Sequence, residues 1–200
     1  MFTGLIESVG EVADLSAIAG GYLLRIATDL AGDFRQGESI SVNGVCLTVV
    51  KTDPGFFSAE IGPETAKVTS LGSLHAGSLI NLERAMQANG RFGGHLVLGH
   101  VDGTGTVQAI RPEAEFTWMT IGYPASLAAY LIHRGSIAVD GISLTVAKLE
   151  AASFDVQIVP FTWSHTNLRQ TRAGDSVNLE CDMVGKYVVR ALEQLSVRRS

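Results

Sequence analysis

The chain repeats itself. Residues 39–83 lie over residues 136–180 at a constant offset of 97 without a gap, and 19 of the 45 aligned positions are identical, where average residue usage gives about three. Lys51 lies over Lys148, Pro63 over Pro160, Thr65 over Thr162, and the run Asn81-Leu82-Glu83 over Asn178-Leu179-Glu180. The opening stretch Gly4-Leu5-Ile6-Glu7-Ser8-Val9-Gly10 also returns, as Gly99-His100-Val101-Asp102-Gly103-Thr104-Gly105, at an offset of 95. A duplication on this scale in 200 residues restricts the fold to two copies of one unit, each large enough for its own core.

The centre of each unit is a hairpin. Ser39-Ile40-Ser41-Val42-Asn43-Gly44-Val45-Cys46-Leu47-Thr48-Val49 becomes Ser136-Ile137-Ala138-Val139-Asp140-Gly141-Ile142-Ser143-Leu144-Thr145-Val146, and Asn-Gly or Asp-Gly between β-branched runs is the strongest short signal for a tight β-turn. First strands are expected at residues 2–12 and 97–107, and second strands at 22–28 and 116–121. Further strands are expected at 56–61 and 154–159, and last strands at 78–83 and 176–180. Short helices fit residues 29–34 and 125–132, and residues 85–94 read as the connector, with Gly90-Arg91-Phe92-Gly93-Gly94 as a turn. Closely spaced short strands with glycine turns and little helix predict an all-β protein of two small antiparallel barrels.

The C-terminal stretch differs in kind. Val184, Val188, Ala191, Leu192 and Leu195 recur at helical spacing, with Lys186, Arg190 and Glu193 off that stripe. Such a helix either lies on its own domain or serves assembly; periodicity leaves both open. Composition narrows the functions. A net charge of -5 without a basic block argues against a phosphate backbone as partner, and no apolar run is long enough for a membrane helix. The first repeat begins practically at Met1, which gives the expectation of a cytoplasmic protein without a leader. Cys46 and Cys181 occupy unrelated places in the two units, so free thiols are expected. His95 and His100 have no accompanying third ligand, and no metal site is expected.

Polar residues kept by both units are the candidates for binding. A glycine (Gly4, Gly99), a Leu-Thr pair after a small side chain (Cys46-Leu47-Thr48, Ser143-Leu144-Thr145) and a Pro-x-Thr (Pro63-Glu64-Thr65, Pro160-Phe161-Thr162) recur together. They can offer backbone groups, hydroxyls and an apolar wall to a flat heterocycle with a polyol tail, or serve as turn chemistry alone. The units differ where Leu5 faces His100, Asn43 faces Asp140, Cys46 faces Ser143 and Glu64 faces Phe161. Of these only His100 carries an imidazole, whose ordinary pKa near 6.5 suits proton transfer at neutral pH; a structural histidine is the alternative.

The segments MFTGLIESVGEV, SVNGVCLTV, PETAKVTSLG, NLERAM, RFGGHLVLGHVDGTG, SIAVDGISLTV and NLECDMVGKY resemble the riboflavin synthase α-chain family. The resemblance runs in order from Met1 to about Val189. It implies two tandem six-stranded antiparallel Greek-key barrels, at residues 1–96 and 97–183, followed by a trimerisation helix at 184–200. It implies a homotrimer in which two molecules of 6,7-dimethyl-8-ribityllumazine meet between the first barrel of one subunit and the second barrel of its neighbour. Dismutation would give riboflavin and 5-amino-6-ribitylaminouracil with no cofactor, and association with lumazine synthase is a possible further partnership.

By the same resemblance, the substrate-binding positions of the first barrel are Phe2, Gly4, Leu5, Ile6, Ser39, Cys46, Leu47, Thr48, Glu60, Ile61, Gly62, Pro63, Glu64 and Thr65. Those of the second are Gly99, His100, Val101, Arg134, Asp140, Ser143, Leu144, Thr145, Gln157, Ile158, Val159, Pro160, Phe161 and Thr162. Expected catalytic residues are His100 with Ser143 and Thr145 for protons, Cys46 and Thr48 for the opposing lumazine, and Asp140. Cys46 reads more readily as a wall residue than as a thiolate. Three positions depart from the family pattern: Arg134 stands where Lys is frequent, Leu98 where Ser is common, and Phe161 where a polar residue is common, which makes the second pocket greasier. Lumazine-binding antenna proteins share the tandem design but need one working site, whereas both sets are kept here. A flavin reductase barrel would need a nicotinamide domain that this length cannot hold.

Overall fold

The computed structural model describes residues 1–197. Twelve strands form two closed barrels. The first contains β1 (Ser8–Ile18), β2 (Gly21–Ala27), β3 (Ser39–Val42), β4 (Val45–Asp53), β5 (Phe56–Ile61) and β6 (Leu79–Arg84). The second contains β7 (Gly103–Glu113), β8 (Phe116–Gly122), β9 (Ser136–Val139), β10 (Ile142–Leu149), β11 (Ser153–Ile158) and β12 (Ser176–Cys181). Around the first ring the order is β1-β2-β5-β4-β3-β6, and the second ring repeats it strand for strand, all pairs antiparallel. Closure leaves no free sheet edge.

Each barrel has its own core. Val12, Leu24, Ile26, Ile40, Phe57 and Leu82 fill the first, and Val107, Met119, Ile121, Ile137, Phe154 and Leu179 the second. The inward residues alternate with exposed ones along the strands, and the alternation is reset by matching bulges at Val12/Asp14 and Val107/Ala109, and again at Val49/Lys51 and Val146/Lys148.

The first strands begin later than the sequence suggests, at Ser8 and Gly103 rather than at residues 2 and 97. Residues 3–7 and 98–102 precede the barrel strands: Glu83 takes the amide hydrogens of Thr3 and Gly4, Glu180 takes those of Leu98, Gly99 and His100, and strand pairing begins only where the Glu7 and Asp102 amides reach Leu82 O and Leu179 O. Two short helices, α1 (Pro63–Val68) and α2 (Pro160–Ser164), follow β5 and β11, each opened by proline, whose missing N–H costs nothing at a first helical position. The stretches 29–34 and 125–132 form 3-10 turns, at Asp29–Asp33 and Ala125–Tyr130.

The barrels meet turn against turn. Asn43 and Gly44 have φ of 45° and 77°, and Asp140 and Gly141 have 44° and 79°, the left-handed pair of a type I′ turn. The two turns stack so closely that a Cβ on Gly44 would lie 2.6 Å from Gly141 N. A buried network locks them. Asn81 Nδ2 donates to Asp140 O at 3.0 Å and Asn178 Nδ2 donates to Asn43 O at 2.8 Å, so each barrel's last strand grips the other barrel's hairpin.

Helix α3 (Met183–Val197) starts against the turn at Ala125–Tyr130 and carries Val184, Val188, Leu192 and Leu195 exposed. Among the described residues, nothing covers this stripe. Among the described residues, no helix is long and apolar enough to cross a membrane.

Candidate functional site

The hairpin of each unit turns one face to its core and the other outward. In the first, Leu47 is buried in the core while Cys46 is half-buried and Thr48 exposed, with Ser41 and Ser39 directly opposite them on β3. In the second, Ser143 and Thr145 pair with Ala138 and Ser136 on β9. Ile61 and Ile158 also point inward, so Glu60, Gly62, Gln157 and Val159 beside them face out. Each candidate face is therefore a row of polar groups on a barrel shoulder, and the short helix that follows β5 or β11 carries Thr65 or Thr162.

The segments outside the barrels cross over. Gly4 O accepts a hydrogen bond from Ser143 N at 2.8 Å, and Gly99 O accepts one from Cys46 N at 2.9 Å. Ile6 packs on the second core and Val101 on the first. Phe2 is fully buried, bridged to Val97 and packed with Ala138 and Cys46 between the hairpins. The family resemblance implied Phe2, Gly4, Leu5 and Ile6 for the first barrel's site and Gly99, His100 and Val101 for the second's; the contacts place Gly4 and Ile6 on the second barrel and Gly99 and Val101 on the first. The exchange requires glycine. A Cβ on Gly4 would sit 2.6 Å from Ser143 Cβ and one on Gly99 2.5 Å from Cys46 Cβ, with φ of 76° and 80° at the two positions.

Two carboxylates that the repeat preserved hold these segments. Glu83 accepts hydrogen bonds from Thr3 N at 2.6 Å, Thr3 Oγ1 at 2.7 Å and Gly4 N at 2.9 Å. Glu180 accepts from Leu98 N at 2.7 Å, Gly99 N at 2.9 Å and His100 N at 3.1 Å. Burial lifts both above the usual carboxylate range, and the N–H donors offset part of that rise. Leu98 thus contributes its amide to the segment's anchor.

A histidine that self-comparison passed over stands beside Ser143. His95 is 7% exposed, its Nδ1 lies 2.7 Å from Ser143 Oγ, and its Nε2 is buried without a partner among the described residues. Burial lowers its pKa, with Asp182 acting the other way. In the first unit the position of Ser143 is held by Cys46, whose amide donates to Gly99 O, and the described residues place no imidazole bond on its side chain. His100, by contrast, is exposed on the segment whose Gly99 rests on Cys46, so within one chain Ser143's imidazole is His95.

Other candidates serve the frame. Asp140 is 3% exposed, its Oδ1 accepts from Asn178 N at 2.8 Å and its Oδ2 from Asn167 Nδ2 at 2.9 Å, and burial pushes its carboxyl up to about 6. Arg134 is exposed at φ 64°, where the first unit has Gly37. The Phe161 ring stacks on His165 with centroids 4.0 Å apart and stays 69% exposed, so it stands at the rim and lines no wall within this chain. Pro63, Glu64 and Pro160 are exposed at the same rims. Ser39 and Leu5 border a cleft of about 650 Å³ beneath the connector, which Ile6, Glu83 and Arg84 also line. Cys46 and Cys181 are both free thiols. Among the described residues no group of three or more His, Cys, Asp or Glu is arranged to hold a metal ion.

A family model described as the lumazine binding domain matches twice, at residues 3–85 and 98–182. The riboflavin synthase of Actinobacillus pleuropneumoniae is 48% identical over 193 residues, covering 96% of this chain and 90% of that protein. Those of Mycobacterium tuberculosis and Bacillus subtilis are 45% and 41% identical, covering 96% and 100% of this chain and 98% and 94% of those proteins. Among solved structures, LumP complexed with riboflavin superposes with a TM-score of 0.85 at 23% identity, covering 90% of this chain and 99% of that one, which is a likeness of fold.

Proposed function

Because this chain belongs to the riboflavin synthase family of tandem lumazine-binding proteins, we propose that it dismutates two molecules of 6,7-dimethyl-8-ribityllumazine to riboflavin and 5-amino-6-ribitylaminouracil. The observation that carries this reading is the pairing of two like outward faces, each with its own crossed glycine segment, of which only one has the Ser143–His95 pair. Joining two identical molecules needs like pockets, and treating them differently needs unlike chemistry.

Two substrates contain all the atoms of the two products, so no oxidant, reductant or carrier has to enter. Loss of a proton from the methyl group on carbon 7 leaves a carbanion delocalised into the ring dione, so the substrate is its own electron sink. His95, kept neutral by burial, accepts the Ser143 hydroxyl hydrogen at Nδ1, so that the Ser143 oxygen takes the methyl proton on the second face as its own passes to the imidazole, with Thr145 beside it. Cys46 and Thr48 wall the opposing lumazine, and the exposed His100 next to them supplies the second proton-transfer group. Gln157, Val159, Pro160 and Thr162, like Glu60, Gly62, Pro63 and Thr65, edge the ribityl tails. Arg134 offers a charge at the rim of the second face.

Both faces lie open on a single chain, with Thr48 and Thr145 exposed. The uncovered apolar stripe of α3 supports assembly through that helix, and a homotrimer brings the first barrel of one subunit against the second barrel of the next. Holding two substrates in opposition in this way is worth up to roughly 7 to 11 kcal/mol against a free encounter. Incubating the purified protein with the lumazine alone and following both products tests the reading. Riboflavin and the aminouracil should form one to one; tight binding with no riboflavin would make the protein a lumazine carrier.

A further inference from the structure

The two crossed segments are neutralised differently. In the first unit Glu7, whose amide donates to Leu82 O at 2.9 Å, pairs with Arg84 of β6 at 2.6 Å. Asp102 occupies the same place in the second unit, its amide donating to Leu179 O at 2.8 Å, but the residue at the Arg84 position is Cys181, a buried neutral thiol pushed up to about 12. The cation comes instead from helix α3: Lys186 Nζ lies 2.6 Å from Asp102 Oδ2, which also accepts from Cys181 N at 2.8 Å.

This pair is unlike an ordinary surface pair. The side chains of Lys186 and Asp102 are 26% and 22% exposed, against 44% and 35% for Arg84 and Glu7, so solvent weakens it less. The ammonium also acts on Glu180, where burial raises the carboxyl and Lys186 offsets part of the rise. The stretch from Leu98 to Asp102 is thus held at one end by Glu180 and at the other by a helix whose opposite face is the uncovered apolar stripe.

We propose that Lys186 is a positioning residue: through Asp102 it fastens the segment bearing His100 to the base of α3, so that the helix used for assembly sets the backbone beside Cys46. The kinetic consequence rests on the function proposed above; the structural one does not. Lys186→Met and Lys186→Arg are compared with wild type by sedimentation velocity, by hydrogen exchange at the Gly99 and His100 amides, and by steady-state turnover. The Met variant should keep its assembly state and KM, exchange those amides about tenfold faster, and lose about tenfold in kcat, as expected for one charge-assisted hydrogen bond. The Arg variant should recover both. Asp102→Asn, which keeps the acceptor for Cys181 N and removes the charge, should reproduce the Met pattern and serves if the Met variant dissociates. Unchanged exchange in assembled Lys186→Met or in Asp102→Asn overturns the proposal. If wild type makes no riboflavin, the function fails while exchange still decides the tie.

Discussion

Replacing Gly99 by alanine probes the crossing of the segments most sharply. The added Cβ would stand 2.5 Å from Cys46 Cβ and 2.8 Å from Cys46 N, whereas carbon atoms in contact keep about 3.5 to 4.0 Å. Relief requires a retreat of about 1 Å, which breaks the 2.9 Å bond from Cys46 N to Gly99 O. An amide left unpaired there costs about 1 to 3 kcal/mol, and an L-residue at φ of 80° adds about 1 kcal/mol. The total is roughly 2 to 4 kcal/mol. Gly37→Ala is the internal control: its φ is 92°, but a Cβ there meets nothing within 4 Å, and Arg134 already occupies the equivalent position. It should cost only the backbone term, about 1 kcal/mol. Urea unfolding of both variants measures the difference, and values within about 0.5 kcal/mol of each other would refute the crossing.

Asp140 gives a pH signature. Its folded pKa of about 6 lies above the ordinary 3.8, so the folded protein binds the proton more tightly and loses stability as pH rises from about 4 to 6, by roughly 3 kcal/mol; Asp140→Asn should flatten that part of a stability profile. His95→Gln should lower kcat about a hundredfold with little change in ligand affinity, measured by fluorescence titration and turnover. Cys46→Ser should keep nearly full turnover, since the residue walls the ring; complete loss would assign it an essential thiolate. Leu192→Asp should dissociate the assembly to monomers in sedimentation and remove most of the activity.

The duplication was legible because the same strands, bulges and turns were written twice, and Asn43-Gly44 and Asp140-Gly141 named their own turn type. Helices α1 and α2 were not, since six and five residues are too few to show a helical period. The crossing was hidden for a deeper reason: a repeat shows which residues are equivalent, and Gly4 and Gly99 remain equivalent whichever barrel each one rests on. Asn81 and Asn178 stood out as identities, yet their role across the seam depends on the barrels' relative placement. His95 escaped because its partner Ser143 lies 48 residues further along the chain, and only the folded placement of the two brings them within 2.7 Å.

A working site that joins the first barrel of one subunit to the second barrel of another is tested directly by coexpression. One chain carries Thr48→Trp, filling the first face, and the other Thr145→Trp, filling the second. Each alone should be inactive, while random mixing should restore about a quarter of the interfaces and of the wild-type rate. Mixed assemblies as inactive as their parents, or either parent at full rate, would contradict the account.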